Sequence, residues 1–248
     1  MTHLIIRIFR YALKIIDKSA FARNWQSFVP EITTAGIAFW CPNSHCSYRA
    51  RTLLTKEPDT IAWIDSMQVN EILWDIGANI GCYSLYAARR GCQVIAFEPH
   101  AGNYDVLTRN IIINGYEQMI RAYCLAVSDF PGLLTLRTSA ISPGTADHRL
   151  TLCQDGQAVI AYTAAEMVGE LKMPIPNHIK IDVDGAEFRV LSGLEPILLD
   201  ERIKSVMIEI QHGNSNYGAM LDIFDKSGMK LKDINRMNHL FVRESREK

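Results

Sequence analysis

The stretch Asp75-Ile76-Gly77-Ala78-Asn79-Ile80-Gly81 decides how this chain folds. It follows the apolar residues Ile72-Leu73-Trp74 and precedes a helix-like run that continues to Arg90, where Gly91 stops it. Glycine permits a sharp turn and a close approach of the backbone to a ligand because it has no side chain. The stretch therefore predicts a strand, a tight ligand-binding turn and a helix.

The residues after this turn alternate between strand-like and helix-like segments. Strands are predicted at Gln93 to Phe97, Ile120 to Val127, His178 to Ile181 and Ile203 to Ile210, with helices at Gly102 to Ile113, Ala164 to Leu171, Ala186 to Leu199 and Tyr217 to Ser227. Strands that alternate with helices of this length form parallel βαβ units. The pattern predicts an α/β fold with a mostly parallel sheet.

Three regions depart from this alternation. Short strands around Leu133 to Leu136 and Ala158 to Ile160, separated by turn-rich sequence, predict an insertion or hairpin near the site. Two closing strands, Met229 to Ile234 and His239 to Val242, are near enough in sequence to pair antiparallel. The patch from Cys41 to Tyr48 is read as a loop, and a short helix with proline at its start is predicted over Glu57 to Ile64.

Length and composition set limits on the kind of protein. A chain of 248 residues with 48% hydrophobic residues can bury one substantial core. The 26 basic and 27 acidic residues nearly cancel, so the chain has no overall positive field to hold nucleic acid. Six scattered cysteines favour a reducing, cytoplasmic location. The sequence suggests no transmembrane segment.

The first residues read as a basic amphipathic helix from His3 to Lys18. Its bases recur at three- and four-residue steps while apolar residues fill the other faces. Such a helix packs on its own domain, on a second copy in a homodimer, or on an anionic membrane surface. We assign residues 1–56 to this helix and an extension, and residues 57–248 to one catalytic domain.

The chemistry of the turn points to S-adenosylmethionine. Asp75 at the strand end can receive a cationic ammonium group, and the helix N-terminus offers free N–H groups to a carboxylate. Glu98, at the tip of the next strand in Phe97-Glu98-Pro99, stands where nucleotide-binding α/β folds hold ribose hydroxyls. Asn103 and Ser128-Asp129 are further candidates for ribose and adenine contacts.

Three segments together resemble the FkbM family of S-adenosylmethionine-dependent methyltransferases. They are Trp74 to Gly81, Phe97-Glu98-Pro99 with Asn103 and Asn110, and Lys180 to Glu187 with Val190-Leu191-Ser192-Gly193. The resemblance implies a class I methyltransferase fold, which is Rossmann-like and doubly wound, with seven strands and an antiparallel C-terminal strand. It also implies O-methylation of hydroxyl groups on small molecules or sugars. Cofactor contacts are implied at Asp75, Gly77, Asn79, Gly81 and Glu98.

A second acidic group follows the later strands. Asp182 ends a central apolar strand, and ligands of open α/β folds bind at such carboxyl ends, so Asp182 should face the cofactor cleft. Glu209 and His212 follow the neighbouring strand and could line the same cleft. A hydroxyl that attacks a methyl group must lose its proton, and either Asp182 or His212 could act as the general base.

Other functions remain open at this point. Asp182, Asp184, Glu209 and His212 could hold Mg²⁺, but without compact ligand spacing we expect no metal, and Cys41 and Cys46 lack the second pair that structural zinc needs. A nicotinamide-dependent oxidoreductase also uses a Gly-rich turn, although here the turn reads Gly-x-Asn-x-Gly. A non-catalytic module that binds S-adenosylmethionine is the other alternative. The acceptor pocket is expected from the N-terminal region and the segment from Gly132 to Ala161.

Overall fold

The structure is a computed structural model that describes residues 31–138, 142–146, 149–151 and 155–244. The predicted basic helix from His3 to Lys18 lies outside the described residues. The helices are α1 (Ser44–Thr52), α2 (Pro58–Asp65), α3 (Cys82–Arg89), α4 (Ala101–Ile113), α5 (Ala164–Gly169), α6 (Glu187–Leu198) and α7 (Tyr217–Lys226). Among these described helices, none is long and apolar enough to cross a membrane.

A seven-stranded sheet forms the centre of the fold. Its strands are β3 (Ile72–Ile76), β4 (Gln93–Phe97), β5 (Ile120–Tyr123), β10 (His178–Ile181), β11 (Ser205–Glu209), β12 (Met229–Asn235) and β13 (Asn238–Arg243). The order is β12-β13-β11-β10-β3-β4-β5, with β13 antiparallel to both β11 and β12 and the other pairs parallel. The predicted class I fold is confirmed.

Two hydrophobic cores cover the two faces of this sheet. Side chains alternate across a strand, so Trp74 and Ile76 face one core while Leu73 faces the other. The first core takes buried residues from α5, α6 and α7, and the second from α1 to α4. Helices therefore sandwich a sheet whose strands β3, β4 and β10 are buried along nearly their whole length.

Smaller sheets flank the central one. The predicted insertion forms a sheet of order β6-β9-β7-β8, made of β6 (Ala126–Val127), β7 (Gly132–Arg137), β8 (Arg149–Thr151) and β9 (Gln157–Tyr162). An antiparallel hairpin of β1 (Glu31–Thr34) and β2 (Ile37–Trp40) precedes α1. The hairpin joins the second core through Ile37 and Phe39, which are fully buried.

Two predicted elements were wrong. The segment around Cys41 to Tyr48 is mostly helical, because Asn43 caps α1 by accepting a hydrogen bond from the Cys46 N–H at 2.9 Å. The single strand predicted over Ile120 to Val127 divides between two sheets, since β5 pairs with β4 whereas β6 pairs with β9. Continuous apolar sequence does not show where a strand changes its partner.

Candidate functional site

The glycine turn between β3 and α3 is shaped by close contact with neighbouring strands. Gly77, Asn79 and Gly81 have positive φ values of 87°, 52° and 90°. A Cβ atom on Gly77 would lie 2.0 Å from the carbonyl oxygen of Asp182, so no side chain fits there. The Gly77 and Ala78 N–H groups donate to the Phe97 carbonyl at 2.9 and 3.1 Å. The turn is therefore fixed against the ends of β4 and β10.

Asp75 lies beneath this turn. Its side chain is buried and accepts a hydrogen bond of 2.5 Å from the Ser84 hydroxyl in the first turn of α3. Burial raises the pKa of Asp75, although the charge of Lys180 opposes this rise. The carboxylate thus faces Ser84 and Lys180, and it does not line the cavities described below.

Glu98 stands at the end of β4 and links the turn to the start of α4. One carboxylate oxygen accepts the Asn79 N–H and the other accepts the His100 N–H, both at 2.8 Å. Burial raises the pKa of Glu98 to about 7, although these two hydrogen bonds lower it. Two hydrogen bonds leave acceptor sites on a carboxylate, which has about four. Glu98 can therefore still receive hydroxyl donors.

Asn103 reaches the same region from the first turn of α4. It is fully buried, and its carbonyl oxygen accepts the Gly144 N–H at 2.7 Å. Its Nδ2 makes no hydrogen bond of ordinary geometry with the described residues, but it lies near enough to Glu98 to lower that carboxyl's pKa. Asn103 is therefore positioned to hold the segment at Gly144 beside Glu98.

A main cleft opens at the carboxyl ends of β3, β4 and β10. It holds about 560 Å³ of space, its solvent-filled mouth included. Its polar lining comes from Gly77, Asn79, Glu98, Asn103, Asp182 and Asp184, and its apolar lining includes Ile76, Phe97, Leu125, Val127, Leu136 and Val190. Apolar walls beside a buried carboxyl suit an adenosine group.

A second cavity, the side pocket, adjoins the main cleft. The two cavities share Gly77, Asn79, Asp182 and Asp184. The side pocket adds Arg49, Lys56, Ala78, Cys82, Tyr83, Ala146 and Glu209, and it holds about 670 Å³ with open solvent included. A cofactor in the main cleft and a second molecule in the side pocket would therefore meet at the shared wall.

Lys180 lies behind that wall as a buried cation. Its ammonium donates to Asp182 at 2.8 Å and stands 4.7 Å from the centroid of the Tyr83 ring. Burial by itself would lower the pKa of Lys180, but the charges of Asp182, Glu57 and Asp75 outweigh burial and raise it. Lys180 therefore stays protonated and neutralises the surrounding carboxylates.

Three carboxyl groups meet around this lysine. Oxygens of Glu57, Asp182 and Glu209 lie within 4.8 Å of one another. Burial raises the pKa of Asp182, but the charge of Lys180 and a hydrogen bond with Glu209 lower it by more than burial raises it. Asp182 is therefore ionised. Burial and the charge of Asp182 raise the pKa of Glu209 to about 8. At neutral pH Glu209 therefore carries a proton that it can donate to Asp182.

The remaining predicted site residues lie elsewhere. Ser128 is buried and its hydroxyl donates to Asp129 at 2.9 Å, so it does not line the main cleft. His212 is exposed and lines neither the main cleft nor the side pocket. Glu209, by contrast, does line the side pocket. The predicted group of Asp182, Glu209 and His212 is thus only partly brought together.

Sequence reasoning missed several residues of this site. Arg49, Lys56 and Glu57 precede the first core strand, and no local pattern marks them. Lys180 had a signal, because a lysine inside the apolar strand His178–Ile181 must be buried with a charged partner. The carboxylates of Glu57, Asp182 and Glu209 lie close enough together to attract a metal ion. The ammonium of Lys180 already supplies positive charge to this cluster through its hydrogen bond to Asp182.

Comparison with known proteins assigns the family. A family model described as "Methyltransferase FkbM domain" matches residues 75–231. The hexuronic acid methyltransferase AglP of Haloferax volcanii is 24% identical over 210 residues, covering 81% of this chain and 85% of that protein. Methyltransferase sdnD of Sordaria araneosa is 28% identical over 182 residues, covering 59% of this chain and 68% of that protein.

A solved structure supports the fold. The S-adenosylmethionine-dependent methyltransferase from Agrobacterium tumefaciens superposes with a TM-score of 0.50 at 11% identity, covering 87% of this chain and 70% of that one. The family match spans more than half of the chain and contains both the glycine turn and Asp182. The chain therefore belongs to the FkbM family of methyltransferases, and S-adenosylmethionine is its methyl donor.

Proposed function

We propose that this chain methylates a hydroxyl oxygen on a small molecule or sugar. The observation that carries the proposal is the ionised carboxylate of Asp182 on the wall shared by the main cleft and the side pocket. A carboxylate at that junction can take the proton of an attacking hydroxyl. The relative from Haloferax volcanii, a hexuronic acid methyltransferase, supports a sugar acceptor.

The residues of the main cleft suit the cofactor. Glu98 has acceptor sites left for ribose hydroxyls, and Phe97, Leu125 and Val127 offer apolar contact to adenine. The turn at Gly77, Asn79 and Gly81 would adjoin the methionyl portion. Asp75 would act through Ser84 by fixing α3 under the turn, whereas Ser128 as a direct cofactor contact stays a prediction.

In the proposed mechanism the side pocket orients the acceptor hydroxyl toward the main cleft. S-adenosylmethionine supplies an electrophilic methyl group. Transfer of that methyl group to the acceptor oxygen would release S-adenosylhomocysteine, and Asp182 would take the proton of the acceptor hydroxyl. Lys180 keeps Asp182 ionised, and the protonated carboxyl of Glu209 donates a hydrogen bond that orients it.

The typical rate contributions of alignment and of a general base indicate how much each would add to catalysis. Alignment of two bound reactants supplies roughly 7–11 kcal/mol of barrier reduction, whereas a general base supplies about 10²–10⁴-fold in rate. Most of the acceleration therefore comes from holding acceptor and cofactor in adjoining cavities. The base contributes the smaller and more easily tested part.

The test is the substitution Asp182→Asn, which keeps the side-chain shape and removes the basic carboxylate. Methyl transfer from labelled S-adenosylmethionine is measured on a panel of hexuronic acids, neutral sugars and phenols. We expect the turnover number to fall by about 10²-fold, the low end of the general-base range, because Lys180 lowers the pKa of Asp182 and so weakens it as a base. The affinity for S-adenosylhomocysteine and the thermal unfolding midpoint should change much less.

Two matched variants serve as controls. Asp222→Asn makes the same chemical change at an exposed position of α7 that lines neither cavity, and His212→Ala removes the exposed histidine; both should retain turnover within a few-fold. Unchanged turnover in Asp182→Asn would remove Asp182 from the mechanism. Binding of cofactor with no transfer to any acceptor would favour a non-catalytic binding module.

A further inference from the structure

Arg49 presents an oriented guanidinium group to the side pocket. It lies on α1, is half-buried, and its Nε donates to the Gly144 carbonyl at 2.7 Å. This bond fixes the plane of the guanidinium group while its two NH₂ groups remain for other partners. Across the described ranges of the chain, Arg49 forms no ion pair with a carboxylate.

Lys56 adds a second positive charge to the same pocket. Its ammonium pairs with Glu57 at 2.7 Å, and that side chain is 39% exposed. Burial lowers the pKa of Lys56, the charges of Glu57 and Asp182 raise it overall, and charge repulsion from nearby Arg49 opposes that rise as the smallest of these effects. The charge of Arg49 also lowers the pKa of Glu98 and of Cys82, so its field reaches both cavities. An anion bound beside Arg49 and Lys56 would relieve this repulsion.

Once Asp184 is counted, the carboxylates around the pocket balance its cations in number, so the positive charge at Arg49 is local rather than a net excess. Asp182 is paired with Lys180, and Glu57 faces both Lys180 and Lys56. Glu209 is protonated at neutral pH because its pKa is raised to about 8. The pocket thus combines a cationic wall at Arg49 with a proton-accepting wall at Asp182.

We infer that the methyl acceptor is an anion, and that Arg49, assisted by Lys56, binds its carboxylate or phosphate group while the reacting hydroxyl lies at Asp182. This inference rests on the proposed function and names the class of its acceptor. Arginine suits the role because its planar fork matches both oxyanions in a bidentate manner. A hydroxyl-bearing sugar acid or sugar phosphate has the required pair of groups.

A carboxylate that binds Arg49 could belong to either of two molecules, the methyl acceptor or the methionyl group of the cofactor. Arg49 and Lys56 both precede residue 75, where the family match begins. The residues that line the main cleft, from Ile76 to Val190, lie within the matched segment, so residues outside it are better suited to acceptor recognition. The placement of Arg49 therefore favours the acceptor, and the experiment includes an arm for the cofactor.

The test measures binding to the full chain saturated with S-adenosylhomocysteine. Ligand-observed NMR titrations compare three pairs of probes: glucuronate with glucose, galacturonate with galactose, and glucose 6-phosphate with glucose. We expect at least one anionic probe to bind about tenfold or more tightly than its neutral parent, as one charge-assisted hydrogen bond implies. Arg49→Gln should abolish that preference, and Arg49→Lys should retain part of it.

Arg51→Gln is the matched control, because it removes the same charge from the same helix at an exposed position that lines neither cavity. It should leave the preference intact. Equal binding within all three pairs in the unmodified protein would overturn the inference. An equal loss in Arg49→Gln and Arg51→Gln would also overturn it, since a diffuse field would then explain the effect.

The cofactor arm compares S-adenosylhomocysteine with 5′-methylthioadenosine, which lacks the amino-acid carboxylate. If Arg49→Gln weakens only S-adenosylhomocysteine, Arg49 serves the cofactor and the acceptor assignment is wrong. Unchanged binding of both compounds shows that the variant is folded and its cleft intact. If the protein binds S-adenosylhomocysteine tightly but shows no preference for anionic probes, only the inference of an anionic acceptor is wrong. If the unmodified protein transfers no methyl group to any acceptor, the proposed function is wrong.

Discussion

At the scale of single residues, Glu98 combines two roles that depend on its charge. Its carboxylate accepts the N–H groups of Asn79 and His100, which fixes the turn at the cofactor cleft. Burial nevertheless holds its pKa near neutrality, at about 7. The same residue is therefore a structural acceptor whose protonation state changes near pH 7.

This leads to a prediction for the pH dependence of cofactor binding. If ribose hydroxyls donate to the Glu98 carboxylate, binding requires the ionised form, and protonation below pH 7 competes with it. We expect the affinity for S-adenosylhomocysteine to rise with pH and level off above about 7, with binding about tenfold weaker at pH 6 than at pH 8. Isothermal titration calorimetry across this range measures it.

Glu98→Gln provides the control for this prediction. Its affinity should be weaker at pH 8 and should lose the dependence on pH, because an amide does not titrate in this range. If the variant keeps the pH profile of the unmodified protein, another group is responsible for the titration.

At the scale of elements, a buried polar network fixes α2 to the amino ends of the strands. The Trp63 indole donates to the Ser205 hydroxyl at 2.8 Å, and Ser205 contacts His178 Nδ1 at 2.7 Å. The other ring nitrogen of His178 lies 2.8 Å from Glu71, which also contacts Lys204. The network joins a helix, β10 and β11, so its effect is on stability rather than on the cofactor cleft.

The pKa of Glu71 indicates the pH range in which this network stabilises the fold. Burial opposes its ionisation, but hydrogen bonds from Lys204, the Gln68 N–H and His178 lower the pKa of Glu71 to about 2. A carboxyl with a folded-state pKa below its ordinary value of 4.5 stabilises the fold above that pH. This contribution is lost as the pH falls from about 4.5 toward 2.

We predict that Ser205→Ala lowers the free energy of unfolding by about 1–3 kcal/mol, because the buried Trp63 N–H and a His178 ring nitrogen lose their partner. Urea unfolding at pH 7 measures the change. Ser192→Ala is the control: its half-buried hydroxyl donates only to the Phe188 carbonyl within α6, and we expect a change within about 0.5 kcal/mol. Equal effects of the two substitutions would argue against a network at Ser205.

At the scale of the whole molecule, the segment before the first core strand is part of the same core. Asn110 and Asn114 of α4 bind the backbone of β2, with side-chain oxygens that accept the Trp40 and Ala38 N–H groups at 2.8 and 2.9 Å. Leu53 and the β2 side chains pack in the second core. We therefore propose that the folded domain includes residues 31–56, which the boundary of residue 57 expected from the sequence leaves out.

Truncation tests this boundary. Removing residues 1–56 exposes core positions that each stabilise the fold by about 1.5–3 kcal/mol, and it removes the partners of Asn110 and Asn114. We expect that chain to lose more than about 5 kcal/mol, which is comparable to the whole stability of a domain. The full chain should unfold cooperatively, as followed by circular dichroism. Cooperative unfolding of the shorter chain with unchanged stability would restore the boundary at 57.

The class of fold and the position of the glycine turn could be predicted from sequence patterns alone. Strand periodicity, the glycines at Gly77 and Gly81 and the carboxylate at Glu98 are local signals, because each depends on residues a few positions apart. For the same reason the sequence predicted β3, β4 and β10 closely and placed Asp182 at the end of a central strand. Backbone geometry and hydrophobic alternation depend on residues within a single helix, strand or turn, so the sequence predicts them directly.

The arrangement of the side pocket depends on contacts between distant parts of the chain, which no sequence pattern predicts. Glu57, Asp182 and Glu209 come from distant parts of the chain, and only the packing of α2 against the sheet brings their oxygens within 4.8 Å. The buried ammonium of Lys180 then determines which of these carboxyls is ionised, a property that no residue type has in isolation. Long-range packing and burial thus determine which carboxyl groups of the site are ionised. The spacing of residues in the sequence predicts neither the packing nor the burial.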